Sequence, residues 1–287
     1  MILCRFLEFA TASLLWGAAC LRADAFPADL LRRSARMAVR LGGCAAVLNL
    51  AAALGWMAVE AALVGDGPQD AINPQVLAAL LVASHFGRVW LLHLVLAVAV
   101  LAGSLADRPR VFACLAGLNL GSLALTGHAV MPGGWMGAAH EVLSVLHLLA
   151  AGFWAGGLAV ILPLLATRRR EGAAGPVLRQ FSRWGHLAVA LVFATGGAKA
   201  LLILTARGGF DPSGLYLTLL AGKVAAVVGM LGLALVNRYR FVPRLGAADG
   251  AAALGALQRA TVAELVLVIV VLGLVSVFAT LSPFAGA

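Results

Sequence analysis

The sequence predicts an all-α, polytopic membrane protein with eight transmembrane helices. Three observations carry this. The 287 residues are 62% hydrophobic and 11% charged, whereas a soluble domain has about a quarter of its residues charged. The apolar residues fall into eight runs, each near the ~20 residues that cross a bilayer as a helix. The basic residues gather in alternate gaps between those runs. The remainder is too short for an extramembrane domain, so residues 1–287 are expected to form a single transmembrane domain.

The first span is expected at about 2–21. Arg5, an apolar stretch and Ala23-Asp24-Ala25 have the outline of a cleaved signal peptide. Glu8 interrupts that run, and the dense arginines after Arg22 resist export. A retained helix is therefore expected. The next spans are read at about 38–64, 86–106, 111–128, 140–166, 185–206, 215–237 and 260–281. Between the second and third, Pro68 and Pro74 bracket a turn, and 75–84 is a short apolar stretch. That stretch suits a helix lying in the outer interface.

Charge sets the expected orientation. The first gap holds Arg22, Arg32, Arg33 and Arg36, with Arg40 just inside the next run. The third holds Arg108 and Arg110. The fifth holds Arg168, Arg169, Arg170, Arg179 and Arg183, and the seventh Arg238, Arg240, Arg244 and Arg259. These are most of the chain's 21 lysines and arginines. The even gaps hold Asp66 and Asp70, then no charge before Glu141, then Arg207 and Asp211. Cytoplasmic loops carry the excess of Lys and Arg, so both termini are expected on the periplasmic side. The net charge of +9 is thereby spent on orientation. No basic stripe with interleaved aromatics stands out, and nucleic acid is not an expected partner.

The polar residues inside the spans are the candidates for function, because a polar group in hydrocarbon is costly. His140 and His147 lie seven residues apart on the fifth span. That puts them on nearly one face, about 10 Å apart in depth. His85 and His93 repeat the arrangement on the third span, about 12 Å apart. His128 ends the fourth span at the outer face. Two tiers follow: His85, His128 and His140 near the outer surface, with His93 and His147 below. About 10 Å is too far for one ion whose bonds to nitrogen are about 2 Å, so successive sites are expected. Met131 and Met136 stand at the mouth, and thioether with imidazole suits copper better than hard cations. A lone histidine such as His93 also has a plain reading, as a hydrogen-bonding residue between helices.

His186 and Glu264 fall near the opposite, cytoplasmic ends of their spans. They read either as an exit site or as packing and capping. Lys199 and Lys223 are intramembrane, and each calls for a carboxylate or carbonyl partner. Glu8, Glu60 and Glu264 are the available carboxylates. Gly152, Gly156 and Gly157, and Gly196-Gly197, read as close helix packing. Cys4, Cys20, Cys44 and Cys114 form no CxxC pair and read as small buried hydrophobes. Gly222-Lys223 lacks the rest of a phosphate-binding loop, and no DKTG sequence occurs. Neither ATP-driven pumping nor enzymatic activity is expected.

These residues resemble the copper-resistance protein D (CopD) family of bacterial inner-membrane proteins. The resemblance rests on Gly127-His128-Ala129, His140, and the run from His147 through Trp154 to Leu158. It continues through Phe181-Ser182-Arg183-Trp184-Gly185-His186, Lys223, Asn237-Arg238-Tyr239, Glu264, and 279–284. It implies an eight-helix, multi-pass component of the bacterial inner membrane that imports or handles copper ions beside a small periplasmic copper-binding protein of the CopC type. Carried over by position, His128, His140, His147 and His186 match family histidines. Lys223 and Glu264 match family polar positions. His85 and His93 do not fall at family histidines, and Glu8 falls where relatives can carry one.

The leading expectation is copper transport, inward, from His128 and His140 to His147, with His93 beside it and His186 near the exit. Two others stand beside it. Intramembrane histidines can ligate haem b, with His128 and His147 or His93 and His147 as axial pairs. A non-transporting copper-binding partner subunit is the third.

Overall fold

The computed structural model describes residues 1–24, 28–126, 134–166, 171–205, 214–247, 249–278 and 280–281. Among the described residues every regular element is helical. Eight helices are long and apolar enough to span a membrane. They are α1 (Ile2–Asp24), α2 (Ala28–Val64), α4 (His85–Leu105), α5 (Pro109–Ser122) together with the 3-10 turn Leu123–Thr126 that continues it, α6 (Trp135–Ala166), α7 (Glu171–Thr205), α8 (Leu215–Val236) and α9 (Gly250–Phe278). The short α3 (Pro74–Ala83) comes between α2 and α4.

The short apolar stretch after Pro74 is thus a helix. Asn73 caps it by accepting from the Gln75 N–H, with Pro74 in the first turn. It packs tightly on α4, because a Cβ at Gly87 would lie 1.9 Å from the Leu80 carbonyl oxygen. Only glycine fits there.

Several helices outrun their expected ends. α7 starts at Glu171 and α9 at Gly250, so Arg179, Arg183 and Arg259 sit on helices rather than in gaps. α2 already begins at Ala28 and takes in Arg32, Arg33, Arg36 and Arg40. α6 starts at Trp135, which leaves His140 inside the helix rather than at its first residue. The reason is local. Arginine is a good helix former, so charge ends the hydrophobic run without ending the helix. After α8 the backbone continues as one π turn, Asn237–Phe241, and one 3-10 turn, Val242–Gly246.

α1 is the central helix and packs on α2, α5, α6 and α9. Its seam with α6 is built on small residues. A Cβ at Gly156 would lie 2.0 Å from the Ser13 carbonyl oxygen, and one at Gly17 2.4 Å from the Gly157 nitrogen. The Trp16 indole N–H donates to the Leu149 carbonyl across the seam at 2.9 Å. Of the glycines read from sequence as packing, Gly152, Gly156 and Gly157 are packing, whereas Gly197 has nothing within 4 Å and Gly196 meets only the His147 ring. Large apolar side chains such as Leu54, Val95, Leu118, Val228 and Ile269 point outward and exposed, as a lipid-facing surface requires.

Candidate functional site

Three polar groups interrupt the apolar interior. The first joins α1, α2, α4 and α5. Glu8, Asn49 and His93 are completely buried, and Asn119, Ser122 and Thr11 nearly so. His93 Nε2 lies 2.8 Å from Glu8 Oε1, and His93 Nδ1 lies 2.7 Å from Ser122 Oγ. The Asn49 amide donates to Glu8 Oε1 at 2.6 Å and to Thr11 Oγ1 at 3.2 Å. Ser122 Oγ donates to the Asn119 carbonyl at 2.7 Å. The Trp90 ring packs on His93 at 4.9 Å and on Trp56 at 4.7 Å. Trp56 donates to Glu60, with Arg5 over its ring. His93, expected beside His147 on a metal path, therefore has protein partners at both ring nitrogens.

The second group lies where α6 meets α7. His147 is half-buried, and its Nδ1 is 2.9 Å from Thr195 Oγ1. The Thr195 hydroxyl donates back to the Leu191 carbonyl. Having spent its one hydrogen there, its oxygen must accept from His147 Nδ1–H. The Val192 backbone also hydrogen-bonds to this imidazole. In neutral His147 with its hydrogen on Nδ1, the lone pair is on Nε2. Gly196 faces the imidazole edge, where a Cβ would sit 3.5 Å from Cε1. Lys199 is one turn beyond Thr195. Lys223 is one turn from Val227, which packs on Ala150 and Val192. Both lysines are close enough to act electrostatically on His147. The carboxylates expected to serve them are engaged elsewhere: Glu8 with His93, Glu60 with Trp56, Glu264 with Asn237.

The third group lies towards the other end of α6. A cavity of about 250 Å³ opens between α6, α7, α8 and α9. Its polar wall is Ser182, His186, Asn237, Arg238, Thr261 and Glu264. Glu264 is buried and accepts from the Asn237 amide, and the Trp154 side chain also hydrogen-bonds to it. Asn237 Oδ1 is buried with no partner among the described residues. Arg238 donates to Ser182 Oγ. His186 Nδ1 lies 2.6 Å from the Ser182 carbonyl, which can only accept, so this imidazole when neutral also has its lone pair on Nε2. The π turn at Asn237 is what brings Asn237 and Arg238 to this wall.

Of the remaining candidates, His140 is half-buried two turns before His147 on α6, and His85 is exposed at the start of α4. His128 and Met131 lie outside the described residues, while Met136 is on the first turn of α6. No group of three or more His, Cys, Asp or Glu that could hold a metal occurs among the described residues. Sequence reasoning missed Asn49, Asn119, Ser122, Thr195 and Asn237. Their signal was an amide or hydroxyl within an apolar run.

Comparison with known proteins gives these groups a family. Residues 1–138 match the N-terminal domain of copper resistance protein D-like proteins, and residues 175–278 match copper resistance protein D. The first polar group falls within the first match. The third straddles α6 and the second match, and His147 lies between the two. The inner membrane protein YebZ of Escherichia coli (strain K12) is 35% identical over 288 residues, covering 98% of this chain and 97% of that protein. Copper resistance protein D of Pseudomonas syringae pv. tomato is 31% identical over 178 residues, 59% of this chain and 57% of that protein. No solved structure matches significantly. Eight apolar spans and a full-length inner-membrane relative make this a multi-pass inner-membrane protein. With both domain matches and that full-length similarity, the chain belongs to the copper resistance protein D family.

Proposed function

We propose that this protein carries copper inward across the bacterial inner membrane, with both termini periplasmic and histidines as successive ligands. The observation that carries the reading is the hydrogen bond between His147 Nδ1 and Thr195 Oγ1, which in the neutral ring leaves the lone pair on Nε2. Metal-binding imidazoles hold their other nitrogen by a hydrogen bond that fixes ring and tautomer. Thr195 supplies that bond here. His140, two turns towards the periplasm, is the entrance ligand, with His128 and His85 as the further candidates for that tier. His186, also with its lone pair on Nε2 when neutral, serves the far end beside Glu264. His93 is left out of the ligand set, because Glu8 occupies its Nε2.

Single ligands at separate depths suit passage rather than storage, since an ion held by few groups exchanges readily. The positive charge of Lys199 and Lys223 near His147 works in the same sense. A periplasmic copper-binding protein of the CopC type is the proposed donor. The haem reading draws nothing from His93, whose nitrogens face Glu8 and Ser122.

The test is copper accumulation in cells expressing His140→Ala or His147→Ala at wild-type protein levels. Both are expected to accumulate less than the parent. Wild-type accumulation in both would sink the proposal. Copper flux into liposomes holding only this protein separates a transporter from a non-transporting partner subunit.

A further inference from the structure

We propose that Glu8 and His93 form a proton site inside the membrane, and that its proton leaves and returns as copper moves. The first half rests on a count of hydrogens. Three short contacts run in series: Ser122 Oγ to the Asn119 carbonyl at 2.7 Å, His93 Nδ1 to Ser122 Oγ at 2.7 Å, and His93 Nε2 to Glu8 Oε1 at 2.8 Å. Each needs one hydrogen between its heavy atoms, or two lone pairs face each other. Ser122 supplies one. Glu8 and His93 must supply two, which is one more than a neutral imidazole and an ionised carboxylate hold together.

The pair thus carries one dissociable proton, either as carboxyl and imidazole or as carboxylate and imidazolium. In both forms its net charge is zero. Loss of the proton leaves a net negative charge in a site that water does not reach, an expensive state. Glu8 Oε2 has no hydrogen-bond partner among the described residues, so no further donor offsets that charge.

The surroundings are otherwise sparing of charge. On α1 the neighbouring charge is Arg5, one turn away and over Trp56. On α2 it is Glu60, bonded to the same Trp56. α4 carries His85 and Arg88, both exposed, and α5 presents only Asn119 and Ser122 to the pair. α6 brings Leu148 and Leu149 against this core. Its His147 has its own partner on α7. Movement of the proton changes the charge on α1, which is locked to α6 by the glycine seam. α6 bears His140 and His147. The link to copper movement rests on the transport reading, whereas the proton site itself does not.

Ser122 is the positioning residue, and that makes the proposal separable from mere packing. Without its oxygen, His93 Nδ1 no longer needs a hydrogen. The imidazole can then place its single hydrogen on Nε2, facing an ionised Glu8. Ser122→Ala is therefore expected to release the pair's proton at lower pH than wild type, with Ser122→Thr restoring it. Glu8→Gln keeps a hydrogen-bonding side chain but cannot hold the proton.

The experiment has two arms on the full-length chain, each with thermal unfolding to confirm folding. In detergent, protons released between mildly acidic and strongly alkaline pH are counted, because the cost of an uncompensated buried negative charge holds the proton to high pH. Wild type is expected to release one more per chain than Glu8→Gln, and Ser122→Ala to release it earlier. Equal counts for all three overturn the proton site, and if Glu8→Gln does not fold, Ser122→Ala decides alone. In proteoliposomes given copper salt, an imposed pH gradient is expected to change wild-type uptake several-fold and Glu8→Gln uptake little. An equal response overturns the coupling. Should wild type move no copper, the transport reading falls while the proton count still stands or fails by itself.

Discussion

His93 and His147 look alike in sequence, each an imidazole deep in an apolar helix, yet the fold treats them oppositely. His93 is completely buried and faces Glu8 at one nitrogen and Ser122 at the other. His147 is half-buried, is held at Nδ1 by Thr195, and when neutral has its lone pair on Nε2. The difference lies in what stands opposite. A carboxylate facing the second nitrogen turns an imidazole into half of a neutral pair. A hydroxyl at the first nitrogen, with no carboxylate hydrogen-bonded to the ring among the described residues, leaves an imidazole suited to the ligand role proposed above. Depth in the membrane does not by itself mark a metal site.

The comparison breaks most easily at Glu8. Removing one partner of a buried pair costs about 3–5 kcal/mol, because the other is left uncompensated. Glu8→Ala or His93→Ala should therefore lower the unfolding temperature sharply, while His147→Ala should lower it by far less. Similar thermal shifts in the three variants would erase the distinction. Next is the seam that joins the two regions. Gly156→Ala forces a methyl group against the Ser13 carbonyl, an overpacking that costs about 1–3 kcal/mol. Thermal unfolding checks it, with Gly197→Ala, where nothing lies within 4 Å, as the neutral control.

A subtler test is Thr195→Val, which keeps the volume and removes the oxygen that orients His147. Loss of such an orienting partner typically weakens metal affinity by about 10–100-fold. Copper titration of the purified protein should show weakening at the His147 site and leave the Glu8–His93 pair untouched. The smallest effect lies outside the spans. The Asn73 side chain and the Asp66 backbone N–H hold the Asp70 carboxyl below the usual aspartate range. Its contribution to the turn before α3 is thus present above the ordinary aspartate value and lost as pH falls through the lowered one. The protection factor of the Asp66 amide, its exchange relative to the intrinsic rate at each pH, should fall at low pH in wild type and be low throughout in Asp70→Ala.

Much of the architecture was legible in the chain. Eight apolar runs became eight spanning helices, because length and hydropathy leave a bilayer helix little choice. The short apolar stretch after Pro74 reads as a helix of its own and is one. Boundaries were less legible wherever arginine stood just before an apolar run, as at Arg183 and Arg259, because arginine is compatible with a helix. The site was legible in kind but not in arrangement. His147 and His186 could be singled out. Thr195, 48 positions from His147, and Asn237, 27 positions from Glu264, could not be paired with their partners from the chain alone.

The order of hydrophobic runs, the alternation of arginines and the presence of imidazoles in apolar helices are properties of the chain taken alone, since each depends on transfer from water and not on neighbours. Which partner the ring nitrogens of His93 and His147 meet is a property of the tertiary structure alone. It depends on how three or four helices pack, and a single serine, Ser122, or threonine, Thr195, on a neighbouring helix supplies it.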